Sequence, residues 1–63
     1  MNNIVTVGNR TIRFFKMHPD ETVWEIFIDG TFEADGEYYG LVDDDGLQEA
    51  YWAIADLMLK GRI

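Results

Sequence analysis

GLQEAYWAIADLMLK, residues 46–60, decides the fold, because it is the one stretch of the chain whose apolar residues recur with helical period. Leu47, Ala50, Tyr51, Ile54, Leu57 and Met58 share a stripe, the pattern of a helix that lays one face on a core. Gly61 is a natural stop, and Lys60 suits the negative end of the helix dipole. Between Ala50 and Leu59 only Asp56 is polar. Trp52, Ala53, Ala55 and Leu59 therefore carry apolar surface around the cylinder, more than one small sheet can cover.

Upstream of the helix the period is two. Residues 3–7 and 11–17 are rich in Val, Ile, Thr and Phe, and Gly8-Asn9 between them suits a two-residue hairpin turn. His18-Pro19-Asp20-Glu21 is polar and holds the only proline, which reads as a connecting loop. Residues 22–28 form a third strand, with Trp24, Ile26 and Ile28 on one face and Val23, Glu25 and Phe27 on the other. Two Asp-Gly pairs, Asp29-Gly30 and Asp35-Gly36, bracket a short strand at 31–34, and 37–41 returns beside it. The fold class is α+β: a single domain over 1–63 with an antiparallel β-meander of four or five strands and one C-terminal helix, about 46–60, packed on one face.

This architecture leaves apolar groups without cover. With the Gly8-Asn9 hairpin in register, Val5, Val7, Ile12 and Phe14 face one side, while Ile4, Phe15 and Met17 face the other. Phe27 is expected opposite Phe32 across the Asp29-Gly30 turn. A lone helix shields one side of a sheet, so the second side or the outer flank of the helix is exposed in a monomer. Phe15, Phe27, Phe32 and Trp52 are thus the expected interface of a homodimer or of a standing partner.

Size and composition narrow the function classes. A 63-residue chain is near the lower limit for unaided folding, and a single core of this size supplies only about 3 to 5 kcal/mol. There is no cysteine, hence no disulfide framework and no thiolate zinc site, which favours a cytoplasmic setting. The start lacks the blocks of a signal peptide, and no apolar run reaches the ~20 residues of a membrane span. With no serine or cysteine and one histidine, His18, in a loop, the chain has little for nucleophilic or zinc chemistry. Paired carboxylates need a burying pocket to act as acid and base, so no enzymatic activity and no cofactor are expected.

Charge is the strongest remaining signal. All twelve acids lie in residues 20–56, which contain no base, and the net charge is -7. Asp43, Asp44 and Asp45 stand in a row just before the helix. As an EF-hand the stretch fails: placing Gly46 at the invariant glycine puts Leu41 at the first ligand position and Trp52 at the bidentate glutamate. A weak, non-standard carboxylate cation site is the alternative that survives this test, and no metal residues are assigned. Asp45-Gly46-Leu47-Gln48 has the form of a capping box, with Asp45 and Gln48 as helix cap. One aspartate suffices for a cap. Asp43 and Asp44, with Glu33, Asp35 and Glu37, are then surplus acids beside Tyr38 and Tyr39, a face suited to a groove lined by arginine and lysine.

A tiny, cysteine-free, acidic, β-rich domain without a catalytic kit resembles, in class and not in motif, small phage-encoded inhibitors of the anti-CRISPR and DNA-mimic type. The resemblance implies an acidic protein-binding inhibitor or regulator that occupies a basic, nucleic-acid-handling surface of a partner protein, its acids standing in for phosphates. No direct contact with nucleic acid or membrane is expected. The rival is a homodimeric structural or regulatory interaction module whose acids only keep it soluble.

Overall fold

The computed structural model describes residues 1–63. Four strands, β1 (Asn2–Val7), β2 (Arg10–Phe15), β3 (Val23–Ile28) and β4 (Glu37–Asp43), precede one helix, α1 (Leu47–Leu59). The strands form one antiparallel sheet in the order β1-β2-β3-β4. The shortest dimension is 15 Å, the thickness of one sheet and one helix layer, so no third layer covers the far side of the sheet.

The β1–β2 hairpin closes as the sequence predicts. Val7 pairs with Arg10, and Gly8 takes φ 64. Only the first central residue has positive φ, as in a type II′ turn that matches the twist of the strands. Val7, Ile12 and Phe14 from this hairpin meet Trp24, Ile26 and Ile28 from β3 and Ile54 and Met58 from α1. Ile12 and Phe14 are completely enclosed. Val5, Val42, Leu47, Ala50, Tyr51, Ala55 and Ile63 pack around this centre.

The helix ends in a Schellman motif. Gly61 is left-handed at φ 70, Arg62 N–H donates to the Leu57 carbonyl and Gly61 N–H to that of Met58. Lys60 is the C-cap, beyond the last turn, and pairs with Asp56 at 2.9 Å.

The expected strand at 31–34 does not form. Thr31 Oγ1 accepts from the N–H groups of Glu33 and Ala34 (3.2 and 3.0 Å), and Thr31 N–H donates to the Ala34 carbonyl at 2.7 Å. A threonine hydroxyl that captures nearby amides diverts them from a ladder. The two Asp-Gly pairs therefore serve as the two feet of one loop over 29–36. Asp29 is left-handed at φ 61, and Gly36 at φ 82 approaches so closely that a Cβ there would lie 2.5 Å from Gly30 N and the Ile28 carbonyl. Phe27 consequently faces Tyr38, with ring centroids 5.8 Å apart and planes at 70°, while Phe32 stands in the loop, 80% exposed.

Strand β4 runs two residues further than expected and carries an extra residue. Ile26 pairs with Gly40 and Phe27 with Tyr38, so Tyr39 is bulged out of the ladder. Strand β2 stops at Phe15, short of the expected residue 17.

Candidate interaction surface

The three aspartates before α1 divide their labour differently from the capping-box reading. Gly46 is the N-cap, in helical conformation, and no side chain caps the helix. Asp43 Oδ1 accepts from Gly46 N–H at 2.8 Å, which closes the turn that delivers the chain into α1. Asp44 Oδ1 accepts from Trp24 Nε1 at 2.6 Å and lies 3.6 Å from Lys16 Nζ. Asp45 and Gln48 are exposed and make no capping contact. The cap assignment to Asp45 and Gln48 is thus corrected, because a tight Asp43–Gly46 turn leads directly into helical backbone and leaves no extended cap residue.

Lys16 completes that corner. Its ammonium sits 4.5 Å from the Trp24 ring centroid and donates to the Glu21 carbonyl at 2.9 Å, with 7% of the side chain exposed. A cation over an indole whose N–H meets a carboxylate joins β2, β3 and the β4–α1 turn in one polar cluster. Nothing in the sequence pattern singles out Lys16, since Trp24 and Asp44 meet it only through the fold.

Arg13 does the equivalent on the other side of the sheet. Its guanidinium lies over Phe15 and Phe27 (4.8 and 5.0 Å to the centroids), donates from Nε to Asn2 Oδ1 at 2.7 Å and pairs with Asp35 at 3.3 Å. Asp35 thus anchors the loop over 29–36. Glu33 and Glu37 lie exposed in the loop and at the start of β4. Arg10 grips Asp29 with two hydrogen bonds (3.0 and 2.9 Å) and donates to the Ile63 carbonyl at 2.6 Å. Those bonds hold the Asp29 carboxyl below its ordinary range and raise the Arg10 guanidinium.

Four of the five Lys and Arg side chains are therefore paired within the molecule: Arg10, Arg13, Lys16 and Lys60. Asp20, Glu21, Glu25, Glu33, Glu37, Asp43, Asp45 and Glu49 have no ion-pair partner, and all are exposed. No three His, Asp or Glu side chains converge where they could hold a metal ion.

The side of the sheet away from α1 combines this charge with apolar surface. Across its strands run the rows Asn2–Phe15–Glu25–Leu41 and Ile4–Arg13–Phe27–Tyr38, with Val23 beside Asp43. Leu41, Tyr38 and Val23 are exposed, whereas Phe15 and Phe27 are half-buried under the Arg13 guanidinium. An open groove of about 330 Å³ crosses this face, lined by Phe15, Met17, Val23 and Leu41, with Glu21, Glu25 and the buried Lys16 between them. In comparisons with protein-family models, curated proteins and solved structures, nothing matches the chain.

Glu37, Tyr38 and Tyr39 gather around a second recess with Arg10, Ile28 and Ile63. Trp52 lies on the opposite surface of the molecule, on the outer flank of α1 with Leu59, 62% and 73% exposed. The expected interface residues Phe15, Phe27, Phe32 and Trp52 are thus not one patch. Glu21, Val23, Glu25 and Leu41 do not stand out in the sequence as site residues. The alternation of β3 puts Val23 and Glu25 beside Phe27, but Leu41 joins them only through the register that the Tyr39 bulge sets.

Proposed function

We propose that the protein is an acidic protein-binding inhibitor or regulator that occupies a basic, nucleic-acid-handling surface of a partner, as in the anti-CRISPR or DNA-mimic class. One observation supports this best: four of the five Lys and Arg side chains are consumed by internal pairs, while the carboxylates of Glu21, Glu25, Glu33, Glu37, Asp43 and Asp45 stay exposed without an ion-pair partner. Such a surface attracts basic partners from a distance and repels nucleic acid. Asp44 and Asp35 contribute less to it, being engaged with Trp24 and Arg13. Tyr38, Tyr39 and Leu41 supply exposed apolar area among the acids.

The test is capture on the immobilised protein, followed by elution with salt and with a DNA or RNA oligonucleotide. Retained proteins should be nucleic-acid binders, released as ionic strength rises and displaced by the oligonucleotide. Partners that stay bound at high salt and ignore the oligonucleotide would overturn the reading.

A second reading, a homodimeric interaction module, is favoured by the exposure of Trp52 and Leu59 on the outer flank of α1. Sedimentation of the protein over a wide concentration range decides it: Trp52→Ala should shift a dimer to monomer, and a parent that sediments as a monomer throughout removes this reading.

A further inference from the structure

The geometry points to the groove on the uncovered side of the sheet as the docking site for an amphipathic basic segment of a partner protein, an apolar side chain flanked by arginine or lysine. The inference rests on the reading of the protein as an acidic binder, and it names where and by what chemistry that binding is done.

Three features select this occupant. Phe15, Met17, Val23 and Leu41 offer an apolar floor and walls, with Met17 and Leu41 65% and 62% exposed. A surface of that kind on so small a domain marks an interaction site when polar groups rim it. The rim is anionic: Glu21 and Glu25 line the same groove, both exposed and neither ion-paired. The one cation lining it, Lys16, is turned inward onto the Trp24 ring, Asp44 and the Glu21 carbonyl, so it does not neutralise the rim.

The same rim argues against the other occupants. A second copy seated face to face would bring Glu21 and Glu25 of both chains together, each chain carrying a net charge of -7. Nucleic acid and anionic lipid are repelled by the same carboxylates. An entering arginine instead finds two carboxylates beside an apolar cleft, the arrangement in which a cationic and an apolar contact reinforce one another at the centre of an interface.

The probe is a synthetic peptide of alternating leucine and arginine, titrated into the isotopically labelled protein while backbone amide resonances are followed. The amides of Met17, Val23, Glu25 and Leu41 should shift, and a peptide of alternating glycine and arginine should bind about tenfold more weakly. Glu25→Lys and Leu41→Lys, both at exposed positions, should weaken the leucine-arginine peptide by a similar factor, and Glu25→Gln should do so less. Unchanged melting of the variants separates lost binding from lost fold.

Shifts centred on residues 45–49 or on Trp52, equal binding of the two peptides, or no shift at all would overturn the groove. Shifts that appear with protein concentration alone would also overturn it, in favour of a second copy. Salt-sensitive capture of nucleic-acid binders that survives Glu25→Lys and Leu41→Lys would leave the acidic-binder reading standing without the groove. A mapped groove in a protein that captures no such partner would leave the groove standing without that reading.

Discussion

Trp24 and Asp44, twenty residues apart, are joined by a 2.6 Å hydrogen bond from the indole Nε1 to the carboxylate Oδ1. The indole is 6% exposed, and the Asp44 carboxylate is the acceptor that its N–H has in the fold. Leaving such a donor unpaired costs about 1 to 3 kcal/mol, a large part of the roughly 3 to 5 kcal/mol that a core this small supplies. Asp44→Ala should therefore lower the midpoint of denaturant unfolding substantially, whereas Asp45→Ala should move stability by no more than about 0.5 kcal/mol. A larger loss for Asp45→Ala than for Asp44→Ala would restore Asp45 as the helix cap.

Arg13 is the counterpart on the uncovered side of the sheet. It is 8% exposed, stacked on Phe15 and Phe27 and tied to Asn2 and Asp35. Lysine can supply the charge but not the planar stack with its fixed donors. Arg13→Lys should lose about 1 kcal/mol or more, and Arg13→Ala more again, read by thermal melting. Amide exchange should quicken at Thr31 and Ala34, since the loop over 29–36 loses its anchor at Asp35. If Arg13→Lys melts with the parent, the guanidinium stack contributes nothing particular.

The glycines make opposite demands in neighbouring places. A Cβ at Gly36 would lie 2.5 Å from backbone atoms of Gly30 and Ile28, at a φ of 82 that L residues avoid. At Gly40 in β4 a Cβ would meet nothing within 4 Å, and φ is not positive. Gly36→Ala should cost more than about 1 kcal/mol, while Gly40→Ala should be neutral or stabilise by a few tenths through the lost freedom of the unfolded chain. Equal melting of the two variants would mean that the closure of the loop at Gly30 and Gly36 is not needed for the fold.

What the sequence makes legible follows from how local each signal is. The Gly8-Asn9 turn, the alternation of β3 and the helical stripe of α1 depend on neighbours within a few positions, and each is found where the pattern puts it. The strand expected at 31–34 is missing because one hydroxyl, that of Thr31, takes two backbone amides, a competition that strand propensity does not register. The roles of Asp43, Asp44 and Asp45 were not separable, since three identical side chains in a row differ only in what lies near them in space. Leu41 is hidden in the sequence for a similar reason: the bulge at Tyr39 decides which side of the sheet it faces. The apolar excess on both the helix and the sheet was legible as a sum, and the exposed Trp52 and Leu41 show where it lies.

The Arg10–Asp29 pair makes a prediction with a definite sign in pH. Asp29 has a lowered pKa in the folded chain because Arg10 donates two hydrogen bonds to its carboxylate. Unfolded, the same side chain takes up its proton near the ordinary value of about 3.9. Between the lowered folded pKa and that value the unfolded chain holds more protons, so stability rises with pH across the window. The contribution is fully present above the unfolded pKa and is lost as pH falls through the folded one. Asp29→Asn deletes the charge while keeping a residue that tolerates the left-handed backbone at φ 61. The variant should melt below the parent at about pH 7, by a small margin because the pair is exposed and screened, and the gap should close as pH drops below about 4. Added salt should narrow the gap at neutral pH as well. A gap that persists unchanged in acid would place the cost in the lost hydrogen-bond geometry and not in the ionised pair.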